Sequence, residues 1–177
     1  MLQPARLHFR DFSPADLFVV AHAMGDVRLT AFYGLETAHS DARAIAQEQL
    51  DWYASVASEG SGWWQAVLLD GAVIAAVGIY DHDDEADSAD LGYWLLPDHW
   101  GQGWMDQALR QWLPSAFAQL GLHSVVAYVE PENAASTRLL GRLGFCHEGL
   151  LRDCSKRDGH YVSLQRYSLL VSELSAL

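Results

Sequence analysis

Cysteine is scarce in this chain. Cys146 and Cys154 are the only two, too few for a disulfide framework, and as thiols they point to a reducing cytoplasm. Positive charge is scarce too: 11 Lys and Arg stand against 23 Asp and Glu, a net charge of −12. That balance argues against nucleic acid and anionic membrane surfaces as partners, and suits cationic substrates or plain solubility. Long apolar runs are missing. The longest, residues 72–79, falls far short of the ~20 residues a membrane-spanning helix needs. The opening MLQPARLHFRDF lacks the apolar core of a signal peptide. The expectation is a cytoplasmic protein with neither a nucleic-acid nor a membrane partner.

Internal repeats, low-complexity tracts and linkers are also absent, so residues 1–177 read as a single domain. Half of the residues are hydrophobic and 19% are charged, enough for a sizeable core. Along the chain, Leu7 to Arg10 alternates as a strand. Ser13 and Pro14 suit the start of a helix running to Gly25. Residues 26–39, with Arg28, Phe32, Tyr33 and Glu36, read as irregular. A second helix begins at Ser40-Asp41 and ends near Gly60. Residues 63–69 and 72–80 form a hairpin about Asp70-Gly71. A strand at 124–129 follows. After it come a helix carrying Ser136, Leu139, Leu140 and Leu143, and two strands about the turn Arg157 to His160. Helices alternating with strands predict a mixed α/β sheet.

The organising stretch is LGYWLLPDHWGQGWM, Leu91 to Met105. An apolar strand stopped by Pro97 feeds the glycine turn Trp100-Gly101-Gln102-Gly103-Trp104. The turn opens a helix with Met105, Ala108, Leu109 and Trp112 in register, ending at Gly121. Pro114 inside that helix predicts a kink. A strand, a Gly-x-Gly turn and a helix start together form a phosphate cradle, because backbone N–H groups and the positive end of the helix dipole face the anion. A plain glycine turn between strand and helix is the alternative for this motif alone. The acidic run Asp81 to Asp87 has no recognisable metal-ligand spacing, and no metal is expected. No Ser-His-Asp or Cys-His arrangement is readable, which leaves both cysteines structural.

Together these residues carry a resemblance. WGQGWM with its helix resembles motif A of the GNAT acetyltransferases, and PENAASTRLLGRLGF followed by EGLLRD is similar to the closing motif of the RimJ/RimL-like branch. Members of that branch acetylate α-amino groups of ribosomal proteins and related amines. The likeness spans nearly the whole chain. It implies the GNAT fold, a mostly antiparallel central sheet with splayed strands flanked by helices. It also implies acetyl-CoA as co-substrate, attacked directly by an amine. Met105 stands where the motif commonly has Gly or Ala, which implies a tighter cradle. Val162-Ser163 stands where many relatives have an acidic residue, so fine specificity does not carry over.

By that resemblance the pyrophosphate sits on the N–H groups of Gly101, Gln102, Gly103 and Trp104, within the cofactor-binding stretch Trp100 to Met105. The pantetheine arm runs beside Tyr93 to Leu96, and a freed N–H near Trp94 or Leu95 polarises the thioester. For the side chains of Tyr93 and Trp94 a core role is expected. Asn133 bonds the pantetheine, caps the helix, or does both. Ser136 is the candidate acid for the departing thiolate, although a thiol pKa of ~8.5 needs little help. Asp90 is the candidate base, with His82 and Glu130 in reserve. The acidic run, in a loop the fold sets near the acceptor side, is expected to gather cationic amines. The acceptor expected is a peptide N-terminal α-amine, with a polyamine, aminoglycoside or similar amine as the alternative. A homodimer is a further expectation, and a non-catalytic acyl-CoA-binding module the alternative from another class.

Overall fold

A computed structural model of the chain describes residues 6–33 and 41–176. Seven strands form one sheet in the order β1-β2-β3-β4-β5-β7-β6. They are β1 (Leu7–Asp11), β2 (Trp63–Leu69), β3 (Ala72–Asp83), β4 (Ser88–Leu95), β5 (Ser124–Val129), β6 (Cys146–Arg157) and β7 (His160–Leu170). Neighbours pair antiparallel except β4 and β5, which run parallel. The helices are α1 (Leu17–Gly25), the single turn α2 (Val27–Thr30), α3 (Ala42–Glu59), α4 (Trp104–Leu120) and α5 (Ala134–Arg142). This is the mixed α/β, mostly antiparallel arrangement expected. No helix among the described residues is long and apolar enough to cross a membrane.

Alternation along β3 shows how the layers form, since successive strand side chains face opposite sides. Ala75, Val77 and Ile79 join Leu109, Trp112 and Leu113 of α4 and Leu140 of α5 in one core. Ala76 joins Val20 of α1 and Ala46, Leu50 and Tyr53 of α3 in the other. The sheet is therefore covered by helices on both faces.

Local differences from the expected pattern have local causes. The predicted first helix opens with a separate 3-10 turn at Pro14–Asp16. There the Asp16 carboxylate takes the Ser13 N–H at 2.8 Å and pairs with Arg10 at 2.7 Å, drawing the chain inward before α1 begins. Of the stretch read as irregular, residues 27–30 are helical, with Asp26 capping through the Arg28 N–H at 2.9 Å. The rest from residue 34, Glu36 included, lies outside the described residues. The helix α4 continues through Pro114, whose ring faces solvent. Asp41 caps α3 and Gly60 ends it in the left-handed region.

Between sheet and α3 lies an aromatic layer. Trp64 stacks on Tyr53 with ring centroids 4.5 Å apart, and its indole rests flat on the backbone of two adjacent strands. A Cβ added at Gly78 would fall 2.0 Å from the ring, and one at Gly92 2.5 Å. Neither glycine has room for a side chain. Gly78→Ala is therefore expected to destabilise the fold by about 1–3 kcal/mol through overpacking, read as a lower denaturant midpoint. An unchanged midpoint would contradict this packing.

Candidate functional site

The parallel pair β4–β5 is short. Ser88, Ala89 and Asp90 pair with Ser124, Val125 and Val126, and there the ladder stops. Beyond it β4 stays with β3 while β5 follows β7, so a wedge opens between the two strands. Leu96 donates its N–H to Ile74 of β3 at 2.9 Å. In an antiparallel ladder the bonded residues alternate, so Trp94 also faces β3, and the polar groups of Tyr93 and Leu95 face the wedge. The Leu95 carbonyl confirms the direction by accepting Trp100 Nε1 at 2.7 Å. The freed N–H expected near Trp94 or Leu95 is thus that of Leu95, with Tyr93 beside it. Leu96 is turned away, packed by its side chain under α1 and α3.

At the mouth of the wedge, Gly101 and Gly103 have φ of 72° and 82°, backbone that side-chain-bearing residues avoid. Gly103 caps α4. A Cβ at either glycine would meet nothing within 4 Å, so the glycines keep clear the space before the helix start. Gln102 points back to the Asp98 carbonyl at 3.0 Å and takes Trp104 Nε1 at 3.2 Å, fixing the loop. Met105 is buried in the core and forms part of the cleft wall.

The wedge and cradle belong to one cleft of about 1240 Å³. Four of the chain's 11 Lys and Arg residues, Arg28, Arg110, Arg138 and Arg142, line it. Glu48, Asp106 and Glu130 line it too, and Arg28 is paired with Asp26 at 2.6 Å. In a chain of net charge −12 the lining thus keeps a small cationic excess that favours an anionic guest. Asp106 in the first turn of α4 would oppose one, but it is held by Arg110 at 2.7 Å and Arg142 at 3.1 Å.

Asn133 and Ser136 reach the wedge from the start of α5. Asn133 Oδ1 accepts the Ser136 N–H at 3.1 Å, so it caps the helix and keeps its amide N–H groups for the cleft. Facing them is Tyr93. Its buried hydroxyl has no partner within hydrogen-bond geometry, and burial pushes it up to about 12 against the opposing influence of the Ser136 hydroxyl. An orphaned donor next to an open cleft is a group awaiting a ligand.

Asp90 sits at the apex, the last residue paired to β5. Burial, with repulsion from Asp81, raises its pKa to about 6, and Arg166 opposes the shift. It lies beside the cleft rather than in its lining, opposite Tyr80, which does line it. The reserve candidates fall elsewhere. Glu130 lines the wedge but is committed to a two-pronged ion pair with Arg157. His82 is outside the lining, with Nδ1 3.4 Å from Asp84.

Two expectations change. The acidic run forms the β3–β4 turn at the closed end of the wedge, with Asp83 accepting the N–H groups of Glu85 and Ala86. None of residues 81–87 lines the cleft. Cys146 and Cys154, expected to be structural, are both exposed thiols without a disulfide. Each has only a long Sγ contact to a backbone carbonyl, that of His147 at 3.9 Å and that of Val162 at 3.8 Å. Among the described residues no group of three His, Cys, Asp or Glu converges as a metal site. Sequence reasoning missed the far wall altogether: Tyr33, Glu48, Trp52, Trp64 and Tyr80. They come from the α2 exit, α3, β2 and β3, and no motif links them.

Comparison with known proteins places this geometry. The family described as Acetyltransferase (GNAT) domain matches residues 6–146. An uncharacterised N-acetyltransferase, p20 of Bacillus licheniformis, is 32% identical over 97% of both chains. The ribosomal-protein-serine acetyltransferase of Escherichia coli is 34% identical over 85 residues, 48% of this chain and 47% of that one. In fold, the chain is similar to spermidine N-acetyltransferase of Vibrio cholerae in complex with CoA and spermine, with a TM-score of 0.82 at 21% identity, covering 96% and 98% of the two chains.

The cradle generates a test. Gly103→Val would force a β-branched residue into a positive-φ conformation and crowd the space before α4. CoA affinity should fall at least tenfold by calorimetry while the fold survives. Unchanged affinity in a folded variant would remove the cradle from the site.

Proposed function

The chain belongs to the GNAT acetyltransferase family and is an acetyl-CoA-dependent N-acetyltransferase; we propose that its acceptor is the α-amino group of a peptide or protein N-terminus. The observation that carries this reading is Asp90 with a pKa near 6 at the apex of the wedge. A base of that strength suits an α-ammonium, with a pKa of about 7.7–8.0, far better than an alkylammonium of about 10.4. The partial likeness to the ribosomal-protein-serine acetyltransferase supports the same choice.

Acetyl-CoA supplies the thioester and a thiolate leaving group. The N–H groups at the start of α4 and the cleft arginines hold the phosphates. The wedge-facing polar groups of Tyr93 pair with the pantetheine amides, with Asn133 on the other side. The Leu95 carbonyl stays with Trp100 Nε1, and the Leu95 N–H faces the thioester oxygen where charge develops. Asp90, directly or through one water, takes the proton of the amine. Ser136 delivers a proton to the thiolate, with the Tyr93 hydroxyl behind it.

A small cationic amine is the second reading, favoured by Glu48 on the far wall and by the fold likeness to a spermidine acetyltransferase. Thiol release from acetyl-CoA separates the two. A peptide with a free N-terminus should be turned over with a higher kcat/KM than spermidine or an N-terminally blocked, lysine-containing peptide. The opposite order would overturn the reading.

Asp90 yields a pH prediction with two parts. If it is the base, kcat/KM for a peptide falls below about pH 6, and Asp90→Asn removes that limb along with most of the activity. A raised carboxyl pKa means that the fold favours the neutral form. The contribution of Asp90 to stability is therefore greatest at low pH and is lost as pH rises through about 6. The same variant should gain stability relative to wild type above that pH. A retained acid limb in Asp90→Asn would assign the base elsewhere.

A further inference from the structure

We infer that the far wall of the cleft recognises a carbonyl oxygen adjacent to the acceptor amine, through a hydrogen donated by Tyr33. The inference rests on the α-amine reading above and assigns residues and a chemical requirement to it. It begins with a proton count. Trp94 Nε1 lies 3.1 Å from the Tyr53 hydroxyl, which lies 3.2 Å from the Tyr33 hydroxyl. An indole N–H only donates, whereas each hydroxyl donates one hydrogen and also accepts. Three donor hydrogens serve two bonds, so one hydroxyl hydrogen is left over.

Burial decides which one. Tyr53 is 3% exposed, sealed between Phe12 and Trp64 with ring centroids 4.9 and 4.5 Å away. If Tyr33 donated to Tyr53, the Tyr53 hydrogen would be buried among rings without an acceptor, which is costly. The favoured order therefore runs from Trp94 to Tyr53 to Tyr33, and the spare hydrogen belongs to Tyr33, which lines the cleft. Burial also raises the Tyr33 hydroxyl well above its ordinary value, so it keeps its proton at neutral pH.

An independent observation agrees. Trp64, on the same wall, is 4% exposed, and its Nε1–H has no partner among the described residues. Tyr33 thus offers a hydrogen at the cleft, with the unpartnered Trp64 Nε1–H buried behind it. A protonated polyamine can use Glu48 on this wall but, carrying only donors, cannot accept the Tyr33 hydrogen. A peptide N-terminus carries a carbonyl oxygen one carbon from its amine, and that oxygen can accept. The relay also starts on Trp94, between the two residues whose polar groups face the wedge, so the carbonyl-reading donor is tied to the strand that borders the reacting centre.

The test compares two acceptors differing in that carbonyl: alaninamide, and isopropylamine, which keeps the methyl-bearing carbon and lacks the amide. Rates are corrected for the fraction of free amine. Tyr33→Phe keeps the ring and removes the hydroxyl. It should lower kcat/KM for alaninamide at least tenfold, mainly through KM. The value for isopropylamine and the KM for acetyl-CoA should change less than twofold, the latter also showing that the variant is folded. Equal losses for both amines, or no loss for alaninamide, would overturn the inference and leave the α-amine reading intact. Failure of the wild-type enzyme to acetylate alaninamide or any peptide α-amine, with spermidine turned over, would overturn both.

Discussion

The site depends on three residue pairs. Ser88 to Asp90 hold β4 parallel to β5, and nothing beyond them does, because β4 stays with β3 while β5 follows β7. A strand with one bonded edge and one free edge is ordinarily a liability in a folded protein. Here the free edge lies inside the molecule, between the two helices that cap the wedge. The Leu95 carbonyl already accepts Trp100 Nε1. In the proposed site the remaining edge groups of Tyr93 and Leu95 take a chain-like guest, the pairing mode by which extended ligands add a strand to a sheet. The glycine turn, the start of α4 and the cap of α5 all border this edge.

Charge follows the same geometry. The protein is strongly acidic overall, yet the cleft gathers four arginines against three carboxylates, Glu48, Asp106 and Glu130, and holds Asp106 with two of the arginines. At the closed end the sign reverses. Asp90 sits half-buried near Asp81, which makes it reluctant to ionise and so suited to accept a proton at neutral pH. The cleft is therefore polarised along its length, with arginines at the mouth and a carboxyl of raised pKa at the apex.

Much of this was legible in the sequence where a residue type answers a local need. Gly101 and Gly103 announce positive φ, Asp70-Gly71 announces a hairpin, and Asn133 announces a helix cap. Each is a demand of the backbone, visible within a few residues. Which edge of β4 is free was not legible, because it depends on the register with β3, and that register chose Leu95 from the pair Trp94 or Leu95. The far wall was invisible for a related reason. Tyr33, Trp64 and Tyr80 are ordinary aromatics until the fold brings them together, and Gly78 and Gly92 look like weak strand residues until the indole is laid on them. The acidic run stands at the expected end of β4, but charge density does not tell whether a turn's side chains enter the cleft, and none of residues 81–87 does.

In the proposed site the cofactor pairs with the free edge of β4. Amide hydrogen exchange, read residue by residue with and without CoA, tests it most directly. Pairing along that edge slows exchange for the amides of Tyr93 and Leu95 on CoA binding, with little change at Trp94 and Leu96, which already face β3. Uniform protection of all four residues, or protection confined to the glycine turn, would contradict it.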